Sequence, residues 1–171
     1  MIPSHVDLAG AELEIADVEG RENRLWEVCQ SITEEFDFIF VDTPPSLSLL
    51  TVNVLNFALE VLAPCQTQPY AYGALKELFE TVELIKEETN PDLRVSGILP
   101  TFFDGRTRIS QSILQKLREN ETYKDFVFDS VIRMNTTISE SADVGKPVVF
   151  YRSGSNGAKD YVRAARELAE R

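Results

Sequence analysis

The chain has 171 residues, with 17 lysines and arginines against 28 aspartates and glutamates, a net charge of −11. At 43% hydrophobic and 26% charged residues it reads as a globular protein with a substantial core, which excludes intrinsic disorder. The acidic balance opposes strong nucleic-acid binding, because phosphate affinity rests on clustered Lys and Arg. No apolar run approaches the length of a membrane span and the acidic start does not read as a signal peptide, so a cytoplasmic protein with no membrane partner is expected. The two cysteines, Cys29 and Cys65, show no C-x-x-C spacing and read as buried apolar residues in a reducing compartment.

In chain order, residues 9–18 and 21–34 are helix-like and Gly20 separates them. Residues 36–42 predict the first strand: Phe38 to Val41 has too few polar positions to alternate, which suits burial on both faces. Pro44 and Pro45 end it, each fixing φ and removing a backbone donor. Residues 47–59 predict a helix and 61–65 a short strand. The clearest amphipathic helix covers 72–88, with Leu75, Leu78, Phe79, Val82 and Ile85 on one face. Asn90-Pro91-Asp92 ends it.

Residues 93–101 predict another strand, and 107–120 a helix with Ile109, Ile113, Leu114 and Leu117 inward. Strands are expected at 127–132 and 147–151. The closing helix runs from Asn156 to Glu170, with Tyr161, Val162, Ala165 and Leu168 as its apolar face and Ser155 or Asn156 as its cap. Strands separated by helices predict one α/β domain over 1–171, a mostly parallel, doubly wound sheet with helices on both faces.

Asp42 is the first candidate for chemistry. A lone carboxylate leaving an apolar strand lies at the carboxyl edge of the sheet, where ligands collect in open α/β folds. There it is placed to hold a hydrated Mg²⁺ on a nucleotide triphosphate; the alternative is a carboxylate capping the turn that follows. The eight glycines never cluster, and no G-x-x-x-x-G-K-[ST] occurs. The run from Ser153 to Gly157 lacks the Lys-Ser/Thr ending of a phosphate loop and reads as a turn. His5, the single histidine, makes neither a metal site nor a triad, and Trp26 reads as core or interface packing.

The order of several motifs is more specific than any one of them. Asp42-Thr43-Pro44-Pro45-Ser46-Leu47, followed by Leu50-Thr51-Val52-Asn53-Val54-Leu55, resembles the Walker B and switch region of the ParA/Soj partition ATPases. Gly97-Ile98-Leu99-Pro100-Thr101 with Asp104-Gly105-Arg106-Thr107 is similar to a later strand and loop of that family. The stretches Asn135 through Ala142 and Gly145-Lys146-Pro147-Val148 resemble its late loop and final strand. Upstream, Ile2-Pro3-Ser4, Leu8-Ala9-Gly10-Ala11-Glu12 and Gly20-Arg21-Glu22-Asn23-Arg24-Leu25 fit as well, so the likeness runs from Met1 nearly to Arg171 in one register.

The resemblance implies a P-loop NTPase-like fold of the deviant Walker class, here without its N-terminal P-loop strand, so that the chain matches about the carboxyl-terminal two-thirds of the family. It implies ATP and Mg²⁺ as cofactors. Asp42 would stand on the Mg²⁺ side through water, with Thr43 and Pro44 beside the terminal phosphate. Asn135 matches a position near the base, but relatives often have a proline two residues earlier where this chain has Arg133. Base contact and a turn-forming asparagine therefore both stay open.

Arg106, with Arg108 beside it, matches an arginine that relatives use to hold DNA phosphates. A second family arginine would fall near Thr137 and is absent, while Lys146, Arg152 and Lys159 read as solvated surface. No catalytic residue is expected within the chain, since the family's phosphate cradle, its cross-dimer lysine and its water-positioning aspartate would precede Met1. Two functions stay open. One is a partitioning ATPase for chromosome or plasmid segregation, which dimerises, binds DNA non-specifically and answers to a centromere-binding partner. In that case this chain would not hydrolyse ATP alone. The other is a degenerate, non-enzymatic relative that acts by dimerisation or by competition with a full-length protein.

Overall fold

The computed structural model describes residues 2–5, 7–44, 46 and 48–171, with Ala9 as backbone only. Met1, the second proline of the expected turn (Pro45) and the expected first residue of the next helix (Leu47) therefore lie outside the described residues. The chain forms two compact units, Met1–Leu59 with Thr81–Arg94 and Glu60–Glu80 with Val95–Arg171.

In the first unit, helix α1 is Leu8–Ile15, α2 is Arg24–Cys29 and α3 is Leu49–Phe57. The helix expected over 21–34 is broken: 3₁₀ turns at Arg21–Asn23 and Gln30–Glu35 flank α2. Asn53 supplies the reason. Its buried amide donates to the Arg21 carbonyl at 2.8 Å and accepts from the Leu25 amide at 3.1 Å, so a side chain satisfies the groups that a continuous helix would pair. The Asn90 amide closes the other end of α3, donating to the carbonyls of Leu55 and Ala58 at 2.8 Å each. Leu55, Val82, Ile85 and Leu93 are the buried apolar residues of this unit.

The expected strand over 36–42 does not form. Residues 36–44 have no regular secondary structure, and their backbone makes no hydrogen bond to another described residue. Phe38 and Phe40 are 66% and 76% exposed and stack on each other with ring centroids 6.3 Å apart. The run has the apolar content of a buried strand, but a strand exists only by pairing its backbone with a neighbour. No described segment pairs with this one.

The second unit is built on two neighbouring strands, β1 (Glu60–Gln66) and β2 (Arg94–Thr101). They are parallel: Arg94 donates to Leu59 where they begin, and Thr67 to Thr101 where they end, both at 3.0 Å. On the other side of β2, parallel bridges join Ile98 to Val127 and Phe103 to Arg133. Within the strand expected over 127–132 only the bridge at Val127 and the bonds from Phe128 to Ile98 and from Ile132 to Pro100, both at 2.9 Å, remain. Pro100 has no N–H to return, and the amides of Asp129 and Ser130 go instead to the Glu167 carboxylate, each at 2.8 Å.

Helices cover both faces of this sheet. Ala63, Cys65, Ile98 and Val127 pack against Leu75 and Phe79 of α4 (Pro69–Glu88) and against Ile113 and Leu117 of α5 (Arg108–Glu119). Leu62, Leu99 and Phe128 point the other way, to Ile138 of α6 (Thr136–Asp143) and to Ala164 and Leu168 further along the chain. The period-2 alternation of the strands thus sorts the helices into two layers, the doubly wound α/β arrangement that the sequence predicts.

Residues 147–151 form no strand. They give the short helix α7 (Val148–Tyr151), in which Tyr151 donates to Pro147 and Arg152 to Val148, both at 2.9 Å. Pro147 is the cap before this helix, still extended at a ψ of 137°, and its carbonyl accepts from the Phe150 and Tyr151 amides, both at 2.9 Å. The last helix, α8, runs Asn156–Glu170 as expected, and the Ser155 hydroxyl caps it by accepting from the Ala158 amide at 3.1 Å. Its buried face is Gly157, Ala158, Asp160 and Ala164, whereas Tyr161, Val162 and Ala165 of the expected apolar face are exposed. Ile109 of α5 likewise faces out rather than in. No helix among the described residues is long and apolar enough to cross a membrane.

Candidate functional site

At the carboxyl ends of β1 and β2 the hydroxyls of Thr67 and Ser110, both buried, share a hydrogen bond. Ser110 Oγ also accepts from the Asp104 amide at 3.1 Å. Two strand ends and the first turn of α5 are thereby tied to one polar knot. The chain leaves β2 through Phe102, whose φ of 53° lies in the left-handed region. For a bulky residue that conformation costs about 1–3 kcal/mol. It is held partly by the Thr67 hydroxyl, 3.3 Å from the Phe102 carbonyl oxygen.

The polar loop that follows presents Asp104 and Arg106. The Arg106 guanidinium grips the carboxylate with two forks, Nε to Oδ1 and Nη2 to Oδ2, both at 2.9 Å, and its backbone amide adds a third bond at 3.0 Å. The side-chain bonds come first in holding the Asp104 carboxyl down at about 2, followed by the Arg106 amide. The guanidinium itself is 88% exposed. Thr107 caps α5 by accepting from the Ser110 amide, and Arg108 is exposed in the first turn of that helix. The two arginines of the sequence reading are thus close in the chain but unlike in state: Arg106 is neutralised, and Arg108 has no ion-pair partner among the described residues.

Asn135 caps α6, its Oδ1 accepting from the Thr137 amide at 2.9 Å. It also rests on α8: a Cβ added at Gly157 would lie 3.5 Å from Asn135 Cγ and 2.6 Å from Ile138 Cγ1. Two residues before it, Arg133 is bound to Asp160 of α8 through Nε at 2.8 Å, Nη2 at 2.7 Å and its backbone amide at 3.2 Å. Asp160 is only 1% exposed and Arg133 44%. Burial pushes the Asp160 carboxyl up, but the Arg133 bonds and the charges of Arg133 and Arg163 outweigh it and leave the net shift downward. Arg133, tied to α8, therefore fixes the approach to Asn135.

Asp42, Thr43 and Pro44 belong to the first unit, in the exposed extended segment. Among the described residues Asp42 has no hydrogen-bond or ion-pair partner. No group of three His, Cys, Asp or Glu side chains converges on a metal position among the described residues. Thr67, Ser110 and Asp160 are absent from the sequence reading. Asp160 had left a signal: it lies three residues after Gly157 and four before Ala164, a charge on the small-residue stripe of a helix.

The AAA domain family matches residues 1–95, more than half of the chain. Chromosome partitioning protein ParA of Myxococcus xanthus is 39% identical over 171 residues, all of this chain and 60% of that protein. Sporulation initiation inhibitor protein Soj of Bacillus subtilis is 36% identical over 169 residues, 99% of this chain and 66% of that protein.

The chain belongs to the ParA/Soj family.

Chromosome partitioning protein ParA of Caulobacter vibrioides is 33% identical over 173 residues and is covered to 64%. The chain thus spans between 60% and 66% of the length of these ParA and Soj relatives. Among solved structures, cobyrinic acid a,c-diamide synthase from Mycobacterium smegmatis with bound ATP analog and magnesium matches with a TM-score of 0.81. It is 30% identical, and the match covers 96% of this chain and 60% of that one. The ATP complex of Cyanothece McdA gives a TM-score of 0.84 at 17% identity, over 99% of this chain and 65% of that one, and shows the fold alone. The ParA/Soj chain accordingly has the P-loop NTPase-like α/β fold.

Proposed function

We propose that this chain is a ParA-type partitioning (DNA-segregation) ATPase, without a Walker A loop in its sequence and so unable to hydrolyse ATP alone, that works as a homodimer with a centromere-binding partner. The observation that supports this reading most is the unbroken similarity of the whole chain to ParA and Soj proteins at 33–39% identity. Mg²⁺-ATP, once bound, supplies the phosphoryl group for transfer and the charge that organises it.

The residues present fit a metal carried by the nucleotide rather than a protein-built cage. Asp42 is a single unpaired carboxylate, and Mg²⁺ on a nucleotide is commonly held by one or two carboxylates, phosphate oxygens and waters. In this reading Asp42 holds the hydrated ion, Thr43 offers a hydroxyl and an amide to the terminal phosphate, and Pro44 stiffens the turn. Asn135, fixed by its cap and by α8, has an Nδ2 left to meet a base. Arg106, on the loop before α5, and Arg108, in its first turn, would meet DNA phosphates. The protein would act in the cytoplasm, on the nucleoid.

A second reading, a non-enzymatic relative acting by association, draws on one feature. The unpaired run holding Phe38 and Phe40 offers open backbone groups and apolar area to another chain. ATP turnover by the protein that carries this chain, alone and with duplex DNA plus its centromere-bound partner, separates the two. Turnover that DNA and partner stimulate is the expected result. No turnover in any combination, from a protein that still dimerises, rejects the ATPase in favour of the second reading.

A further inference from the structure

The basic residues of this acidic chain are not evenly spread. Between residues 144 and 166 there are five, Lys146, Arg152, Lys159, Arg163 and Arg166, against one acid, Asp160. That acid is buried and bound to Arg133, so it offers nothing to the surface. Lys159, Arg163 and Arg166 follow one another at four and three residues on α8, which puts their side chains on one face, a turn apart. With Ser153 and Val162 they line a surface groove of 360 Å³. None of the three side chains has a hydrogen-bond or ion-pair partner among the described residues; Arg163 acts on Asp160 only through its charge. Like charges a turn apart repel weakly, and Glu170, four residues after Arg166, offsets only one end of the row.

Arg106 is in the opposite state. Its guanidinium is already forked onto Asp104, and a phosphate would have to compete with that carboxylate. We propose that the exposed face of α8, Lys159, Arg163 and Arg166 with the Ser153 hydroxyl, is the main binding site for nucleic-acid backbone phosphate on this chain. The inference rests on the DNA-binding part of the proposed function and assigns it to a different surface from the Asp104–Arg108 loop. Cations repeated one turn apart, with a hydroxyl beside them, suit a repeating polyanion better than a single small anion. A bilayer surface is the poorer match, because the groove contains one apolar side chain, Val162, where a membrane-surface helix needs a broad, bulky apolar face.

The test is binding of a random-sequence DNA duplex to the 171-residue chain across a salt series. Three phosphate contacts predict a slope of about −2.7 in log affinity against log salt, a loss of about 40-fold between about 50 and 200 mM. Lys159→Ala, Arg163→Ala and Arg166→Ala should each flatten the slope by about 0.9, and reversing all three to Glu should abolish binding. All three side chains are exposed, so unchanged circular dichroism and melting temperature separate lost binding from lost fold. Duplex binding that survives the triple reversal but is lost in Arg108→Ala overturns the ridge and leaves DNA binding standing. A wild-type chain that ignores duplex but sediments with phosphatidylglycerol vesicles overturns both in favour of a lipid surface. A wild-type chain that binds neither also overturns both.

Discussion

Asp104 and Asp160 are carboxylates gripped by an arginine in different surroundings, and their behaviour should differ accordingly. Asp104 keeps 17% of its side chain exposed at the start of an exposed loop, and its three bonds from Arg106 hold it at about 2. A carboxyl NMR titration should show that midpoint, and Arg106→Ala should return it toward the ordinary value of about 3.9. The sign follows from linkage: a depressed carboxyl stabilises the fold above its unfolded value, and the contribution is lost as pH falls through about 2.

Asp160 is buried, and its loss leaves Arg133, which is already partly in water. Asp160→Ala should therefore cost about 2 kcal/mol in urea unfolding at neutral pH, less than the 3–5 kcal/mol typical when a fully buried pair is broken. Because its carboxyl is also held low, the gap between wild type and variant should close in acid as Asp160 protonates. Asn135 was legible as a turn-forming residue and proves to be a helix cap. The Arg133–Asp160 tie was not legible, because it joins residues 27 positions apart.

At the scale of elements, the helices that read clearly are those with their own signals. α4 has its apolar stripe, α5 has Thr107 as cap, and α8 has Ser155. β1 and β2 were legible as apolar runs between helices. What failed depended on partners elsewhere. Residues 36–42 carry a strand's apolar run with no described strand beside them, and 127–132 face Pro100, which has no N–H to give to a ladder. The exposed face of α8 was misjudged because Tyr161 and Val162 are apolar, while the residues that face the sheet are small.

Close approach also decides two glycines. A Cβ at Gly97 of β2 would stand 2.2 Å from Phe128 Cε2 and 3.1 Å from the Phe126 carbonyl oxygen. Phe128 is pinned between the sheet and the Arg171 guanidinium, 4.2 Å from its ring centroid, and cannot swing aside. Gly97→Ala should cost about 3 kcal/mol by thermal or urea unfolding. Gly157→Ala meets only the Ile138 side chain closely, and a helical alanine recovers about 1 kcal/mol, so its cost should be clearly smaller. Equal costs would mean that the sheet around Phe128 yields more than its packing implies.

For the whole molecule, the α/β class, the ParA/Soj family and the sequence order of the motifs were all legible, because they depend on patterns spread along the chain. Which segments pack together leaves no such pattern along the chain. Charge behaves in the same way. A net of −11 argues against nucleic acid, yet it hides a ridge of three free cations on α8 that only the folded helix brings together.

In the proposed function Asp42 holds the Mg²⁺ side of a nucleotide site. The decisive measurement is calorimetric titration of Mg²⁺-ATP into the protein, with Asp42→Ala beside it. Mg²⁺-dependent binding that Asp42→Ala weakens by about tenfold, the worth of one charge-assisted contact, is the expected result. Binding that is the same in both proteins, or no binding at millimolar nucleotide, would contradict it.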